Sequence, residues 1–284
     1  MTVLIPGRAP GRRWSELLLL TCGIHAGCSG FAPGSDVLPA QEMNGLNPAS
    51  DERWGCLNSN SRTAEAPVFS GAAPRVVLSL QIVDLSTGQI YPDAQVRACG
   101  LADITCENPV TERLQVDVRG WVDVPLFQGF TGFFEITSPQ IVPYLFYLTE
   151  PVPAQSVTEY PMAAISLASL LPLIQLVGET YEEGTGLLAA RAFDCSGNTA
   201  SGVSLSTRNE GVPWYLVDGL PTARASMTAA DGLGGYLNVS PGLALIDVKA
   251  PNGSSIAGPQ SMVVRPGWMS VVYIRPPARV QAPQ

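Results

Sequence analysis

Leu187-Leu188-Ala189-Ala190-Arg191-Ala192-Phe193-Asp194, then the turn Ser196-Gly197-Asn198, then Gly202-Val203-Ser204-Leu205-Ser206, has a counterpart earlier in the chain. That counterpart is Val76-Val77-Leu78-Ser79-Leu80-Gln81-Ile82-Val83-Asp84, the turn Ser86-Thr87-Gly88 and Ala94-Gln95-Val96-Arg97-Ala98-Cys99. Asp84 and Asp194 lie 110 positions apart. The similarity continues downstream. Asp117-Val118-Arg119-Gly120 leads into Trp121-Val122-Asp123-Val124-Pro125, as Asp231-Gly232 leads through Gly234-Gly235 into Tyr236-Leu237-Asn238-Val239. Here Gly120 and Gly232 are 112 apart. Self-similarity at a fixed period marks repeated structural units.

Apolar and polar residues alternate in these segments, the pattern of strands with one buried face. Each Asp-to-Gly stretch is expected to supply the positive φ of a tight hairpin. Later strands are expected at Phe133-Phe134-Glu135-Ile136, Tyr144-Leu145-Phe146-Tyr147-Leu148, Ala244-Leu245-Ile246-Asp247-Val248 and Met269-Ser270-Val271-Val272-Tyr273-Ile274. Many short strands with turns between them read as antiparallel sandwiches. Gly 28 and Pro 25 suit such a turn-rich fold. The expected class is all-β: two antiparallel immunoglobulin- or prealbumin-like β-sandwiches joined by a short, partly helical apolar connector, after a signal peptide and a flexible tether.

At Asp194-Cys195-Ser196-Gly197-Asn198, Thr228, Asp231-Gly232 and Tyr236-Leu237-Asn238-Val239-Ser240-Pro241-Gly242, the later unit resembles a carboxypeptidase-regulatory-like domain, a transthyretin-like β-sandwich. The resemblance covers 186–275 well and 74–152 loosely. It implies a passive or binding module of a bacterial surface or periplasmic protein, and it implies no catalytic residues. A related group of surface domains forms Lys–Asn isopeptide cross-links from a lysine on an early strand. The only lysine here, Lys249, ends a late one, so that chemistry is not carried over.

The N-terminus reads as an export signal. Arg8, Arg12 and Arg13 form a basic region, Leu17-Leu18-Leu19-Leu20 opens a short apolar one, and Ala26-Gly27 precede Cys28. Ala-Gly-Cys resembles the lipobox of bacterial lipoproteins, which implies lipidation of Cys28. His25 stands where that motif has Leu or Val, and Glu16 shortens the apolar run. Ser15 and Glu16 also depart from a twin-arginine signal. From Cys28 to about Ser50 the chain is rich in Pro, Ala, Asn and Ser, a tether holding the folded part off a membrane.

Cutting before Cys28 removes the only histidine, His25, and with Arg8, Arg12, Arg13 and Glu16 takes formal charge from −8 to −10. Without histidine the mature chain can build neither a Ser-His-Asp nor a Cys-His centre, nor a His-ligated metal site. An acidic chain with one lysine repels nucleic-acid phosphates, so nucleic acid is excluded as a partner. No cofactor or metal motif occurs. Gly232, Gly234 and Gly235 precede a strand rather than a helix and cradle no phosphate.

From Tyr160 to Gly178 no charge occurs. Pro161, Pro172, Ser166, Ser169 and Gln175 argue against a membrane span, and an extended lead-in with a short helix after Pro172 is expected instead. Four cysteines follow the tether: Cys56, Cys99, Cys106 and Cys195. In an exported protein an even number predicts disulfides. Cys99 with Cys106 closes a short loop, leaving Cys56 and Cys195 to pair or stay reduced. Glu179, Glu182 and Glu183 are taken as a solvated face, and Asp84 and Asp194 as turn residues rather than calcium ligands. Trp214 and Tyr215 interrupt a polar loop and are the candidate platform for a sugar or peptide, with core or interface packing the plainer role.

The expected domains are a signal peptide (1–27), tether (28–53), first β-sandwich (54–155), connector with short helix (156–185), carboxypeptidase-regulatory-like β-sandwich (186–276) and a tail (277–284). The expected function is that of a non-catalytic exported protein of the bacterial cell envelope, held to the outer membrane by lipid. The alternatives are an accessory subunit binding an envelope protein or polysaccharide, and a hydrolase using paired carboxylates.

Overall fold

Strand β1 (Arg75–Asp84) buries Val76, Leu78, Leu80 and Ile82, while Val77, Ser79 and Gln81 point the other way. A slip of one residue would exchange these two faces, so the pattern fixes the register. The computed structural model describes residues 52–58, 73–85, 87–154 and 157–277. The signal peptide, Cys28, almost all of the tether and the tail beyond residue 277 lie outside them.

Six more strands complete the first unit: β2 (Gln95–Gly100), β3 (Leu114–Gln115), β4 (Trp121–Phe127), β5 (Gly132–Thr137), β6 (Tyr144–Tyr147) and β7 (Val157–Ala164). Helix α1 (Leu167–Val177) leads to the second unit. That unit holds β8 (Gly186–Ala192), β9 (Ser204–Thr207), β10 (Val212–Val217), β11 (Leu220–Thr222), β12 (Leu233–Val239), β13 (Gly242–Lys249), β14 (Gln260–Val264) and β15 (Met269–Ile274).

The repeat is visible strand by strand. β1 pairs antiparallel with β4 and parallel with β7, and β8 pairs antiparallel with β12 and parallel with β15. β2, β5 and β6 form a ladder matched by β9, β13 and β14. Single hydrogen bonds match too. The Ile82 N–H donates to Gly120 O over 2.9 Å, and its counterpart, the Ala192 N–H, donates to Gly232 O over 2.8 Å.

Gly120 and Gly232 do adopt positive φ, 84° and 65°, but neither makes a hairpin. Each lies between strands of different sheets or of no direct pairing, since β3 pairs with β2 and β11 with β10. The tightness has another cause: a Cβ on Gly232 would come within 2.5 Å of Ala192 O, and one on Gly120 within 2.9 Å of Ile90 Cγ2. The turn presses its backbone onto the first strand of each unit.

The two units share one sheet. β6 pairs parallel with β15 from Tyr144↔Met269 to Tyr147↔Val272. This creates a nine-stranded sheet, β11-β10-β12-β8-β15-β6-β5-β2-β3, flanked by the three-stranded sheets β4-β1-β7 and β14-β13-β9. One core, with Leu80, Ile82, Val124, Phe134, Ile136 and Phe146, lies between β4-β1-β7 and one face of the large sheet. The other, with Leu188, Val203, Tyr236, Ile246, Met262 and Val272, lies between β14-β13-β9 and the opposite face.

Helix α1 begins earlier than its proline. Ser166 caps it, its Oγ accepting the Ser169 N–H, and Gly178 at φ 87° closes it, with the Gly178 and Glu179 N–H groups donating to Gln175 O and Ile174 O. Pro172 lies inside the helix and denies the Ala168 carbonyl its usual donor. Both residues are exposed, so water can serve that carbonyl. Leu170, Leu173, Ile174 and Val177, at i, i+3, i+4 and i+7, form the inward stripe whose burial outweighs the proline. Among the described residues no helix is long and apolar enough to cross a membrane.

Candidate functional site

Two disulfides are formed. Cys99 and Cys106 close a loop between residues seven apart, and Cys56 bonds Cys195 across 139 residues. Cys56 belongs to a 3-10 helix, Glu52–Asn58, whose Trp54 is buried to 1% exposure. The second bridge therefore ties the segment following the tether to the first turn of the second unit. The Cys195 N–H also donates to Arg53 O over 3.0 Å.

Asp84 and Asp194 are buried turn residues. Asp84 Oδ1 accepts the Thr87 N–H and Thr87 hydroxyl, and Asp194 Oδ1 accepts the Ser196 and Asn198 N–H groups. Asp84 also accepts the Tyr91 hydroxyl over 2.6 Å. Burial, then the Asp84 hydrogen bond, pushes the Tyr91 phenol up to about 12. Glu179, Glu182 and Glu183 line the segment between α1 and β8 and are largely exposed.

Among the described residues one group brings Cys99, Cys106 and Glu135 together. The sulfurs are bonded to each other and offer no thiolate. Glu135, 1% exposed, accepts from Arg97 on β2 and from Arg265 just after β14. Arg265 also donates to Ile104 O and lies 5.1 Å from the Trp268 ring. This buried Arg-Glu-Arg set fastens the second unit to the outer face of β2 and β5.

A cavity lies under α1. It measures about 340 Å³ and is bounded by Leu170, Leu173, Ile174 and Val177 of the helix, by Ala163 and Ala164 of β7, and by one face of β15, β8, β12 and β10. A packed interior leaves few voids larger than a water molecule. Ala189, a small residue among Leu187, Leu233 and Leu237, helps leave the space, and Gly235 sits opposite it on β12. A Cβ on Gly235 would lie 1.9 Å from Leu188 O and 3.0 Å from Trp214 Cζ2, so the glycine also admits the indole. Asn238, at φ 53°, bulges β12 and holds the chain leaving α1. Its side chain accepts the Glu182 N–H over 3.0 Å and donates to Thr180 O over 2.8 Å.

Trp214 and Tyr215 stand on β10, not in a loop, and their side chains leave opposite faces of the sheet. They form no common platform, because successive residues of a strand alternate. Tyr215 is buried in the core against β9, its hydroxyl accepting the Leu205 N–H over 3.0 Å. Trp214 lines the cavity.

Arg191 lines the cavity too, beside Tyr273, with its guanidinium 6.0 Å from that ring. Burial raises the Tyr273 phenol, and the Arg191 charge acts against that rise. Both Arg191 Nε and Trp214 Nε1 are sealed from water with no hydrogen-bond partner. Sequence reasoning missed Arg191. A signal existed: Leu187-Leu188-Ala189-Ala190 does not alternate, which marks a strand buried on both faces, with an arginine inside it.

No protein-family model matches the chain, and no curated protein does. Solved structures similar to it include the TIE protein of Bacillus anthracis, at 13% identity and a TM-score of 0.25 over 71% of this chain and 34% of that one. The BcpA major pilin subunit of Bacillus cereus follows at 11% identity and 0.25, covering 71% and 69%. The GBS52 minor pilin of Streptococcus agalactiae follows at 10% and 0.24, covering 74% and 98%. The chain thus spans about a third of the TIE protein. Likeness this faint assigns no function.

Proposed function

We propose that this is a non-catalytic exported protein of the bacterial cell envelope, anchored in the outer membrane by lipid at Cys28, whose two sandwiches form one stiff structural or binding unit. The observation that carries this reading is the pair of disulfides, Cys56–Cys195 and Cys99–Cys106. Such bonds persist in oxidising compartments outside the cytoplasm. The buried carboxylates of Asp84, Asp194 and Glu135 are engaged in turns and ion pairs, which supports a structural role for them. In this reading the later unit is a carboxypeptidase-regulatory-like module, and the partners are the membrane and an envelope protein or polysaccharide. Nucleic acid is disfavoured by the acidic charge.

The test is intact mass of membrane-extracted protein, with and without reduction. The expected product is residues 28–284 plus acyl chains, gaining two hydrogens per bridge on reduction. A soluble product cut elsewhere, or an uncleaved N-terminus, overturns the anchor. A mass unchanged by reduction overturns the compartment.

A further inference from the structure

We propose that the Cys56–Cys195 bridge is a redox latch: a protein dithiol opens it by attack on Cys56, releasing residues 52–58 from the second unit, while Cys99–Cys106 stays closed. The two bridges differ in access. Cys99 and Cys106 are 0% and 2% exposed. Cys56 and Cys195 are half-buried, and both border a pocket of about 310 Å³ shared with Glu150, Asp194 and Arg275. Exchange requires a thiolate to reach a sulfur, so access decides which bridge reacts. The two sulfurs of the latch also differ. The Cys56 N–H donates to Cys195 Sγ over 3.2 Å, which stabilises negative charge there and makes Cys195 the better leaving group. Attack therefore falls on Cys56. The exposed Arg275 guanidinium, 4.5 Å from the Phe193 ring, brings positive charge to the pocket and favours an incoming thiolate. Exposed Glu150 opposes it, while Asp194 Oδ1 is occupied by the Ser196 and Asn198 N–H groups.

The step balances as an ordinary thiol–disulfide exchange. One thiolate of the dithiol bonds to Cys56 Sγ, the Cys56–Cys195 bond breaks, and its electron pair leaves on Cys195 Sγ. The second thiolate of the dithiol then attacks its own partner sulfur and expels Cys56. Two electrons pass to the chain, both cysteines take protons from water, and the dithiol ends as a disulfide. What the bond holds is a short strap. Glu52–Asn58 is a 3-10 helix of seven residues, a length that is marginal without an anchor. Trp54 enters the second core, with Leu57 packed beside it, and Arg53 donates to Ser201 Oγ over 3.2 Å. The anchor carries a cost, since Trp54 Nε1 is sealed from water without a hydrogen-bond partner. Breaking a bridge that spans 139 residues therefore frees the strap and opens the socket of Trp54, with both sandwiches left intact. The assignment holds whether or not Cys28 carries lipid.

The experiment exposes the folded, oxidised exported chain to dithiothreitol without denaturant, traps thiols with iodoacetamide and maps them by mass. Cys56 and Cys195 should be alkylated at least about tenfold sooner than Cys99 and Cys106, because access limits exchange. With glutathione, a monothiol, the first adduct is expected on Cys56. Arg275→Gln should slow that step and Glu150→Gln should quicken it. Trypsin should cut after Arg53 in the reduced chain and leave that bond whole in the oxidised one. Equal rates for the two bridges, or a faster Cys99–Cys106, overturn the latch. A first adduct on Cys195 overturns attack at Cys56, and rates unmoved by both pocket variants overturn the pocket as its route. The double variant Cys56→Ser with Cys195→Ser needs no reductant. It should keep the Cys99–Cys106 bridge, unfold cooperatively and be cut after Arg53. Resistance to that cut, or loss of cooperative unfolding, would show a bond that only braces the fold and overturns the proposal. The intact-mass count before reduction distinguishes this from a chain whose bridges never formed.

Discussion

The two repeats agree inside and differ outside. Their inward faces follow one plan, down to the turn aspartates and the glycine that presses on the first strand. Their outward faces have been put to different uses. On β1 and β4 the outward residues meet solvent, while the matching residues of β8 and β12 lie beneath α1. On β2 and β5 the outward pair is Arg97 with Glu135, buried at the seam, whereas the matching pair on β9 and β13, Ser206 with Asp247, is exposed or partly so. Each unit therefore has one covered and one open outer face, while the β6–β15 pairing joins the two sandwiches in one sheet. A sandwich keeps its core when its outer residues change, so duplication frees those positions for new contacts.

The largest break in this comparison is expected at Gly235 and Asp123. Gly235→Val puts a side chain into the Leu188 carbonyl and the Trp214 ring, and should cost more than about 3 kcal/mol, the upper range for overpacking. Asp123→Val, at the matching exposed position, should cost under about 1 kcal/mol. Urea unfolding of both variants measures the difference, and equal losses would deny that close packing around Gly235 makes the two faces unlike.

The seam gives the next largest effect. Glu135→Ala strands two arginines against the sheet and should cost about 3 kcal/mol, at the low end for a broken buried pair because both arginines reach some water. Asp247→Ala removes only a contact from Ser255 and a 3.9 Å pairing with Lys249, and should cost about 0.5 kcal/mol. A loss at Glu135 no greater than that at Asp247 would mean that Arg97 and Arg265 are not held by this carboxylate.

How much of this was legible depends on what each residue's neighbours are. The repeat could be read because alternation and turn chemistry are local: Asp84 to Gly88 and Asp194 to Gly197 announce their own turns. The β6–β15 pairing could not, because it joins segments more than a hundred residues apart and nothing in Tyr144-Leu145-Phe146-Tyr147 specifies its partner. Gly120 and Gly232 were legible as positive-φ positions, yet the sheets they connect were not, since a turn fixes local direction and not the later course of the strand. Pro172 misplaced the helix start because the capping by Ser166 and the inward leucine stripe outweigh one missing hydrogen bond. Of the candidate platform, Trp214 reached a cavity and Tyr215 a core, a split that follows from strand alternation once β10 is known to be a strand.

The turn aspartates offer a finer contrast. Asp194→Ala loses two backbone acceptor contacts and should cost about 1 kcal/mol, the ordinary worth of such a cap. Asp84→Ala also takes the acceptor from the buried Tyr91 hydroxyl, and should cost about 1 kcal/mol more. The second unit has no such partner, since Ala200 occupies the place of Tyr91. The double variant Asp84→Ala with Tyr91→Phe tests this, because removing the hydroxyl should recover most of the extra loss. No recovery would show that the turn alone accounts for both aspartates.

The smallest effect at neutral pH is the alkaline response, to which buried phenols of both units contribute, Tyr215, Tyr236 and Tyr273 of the second unit being raised by burial as well. Tyr91, and Tyr147 whose phenol burial likewise raises to about 12, both belong to the first unit. Below pH 10 these phenols are neutral in the folded and unfolded chain, so they add no pH dependence. Between about 10 and 12 the unfolded chain releases their protons while the folded chain retains them, so stability must fall as pH rises through that window. Tyr91→Phe should shift part of that loss away and leave stability at pH 7 lower only by the missing hydrogen bond to Asp84. Unfolding midpoints across that interval, read beside tyrosinate absorbance, check it. A profile identical in the Tyr91→Phe variant would mean that Tyr91 ionises as freely in the folded chain as in the unfolded one, and that its bond to Asp84 does not hold the proton.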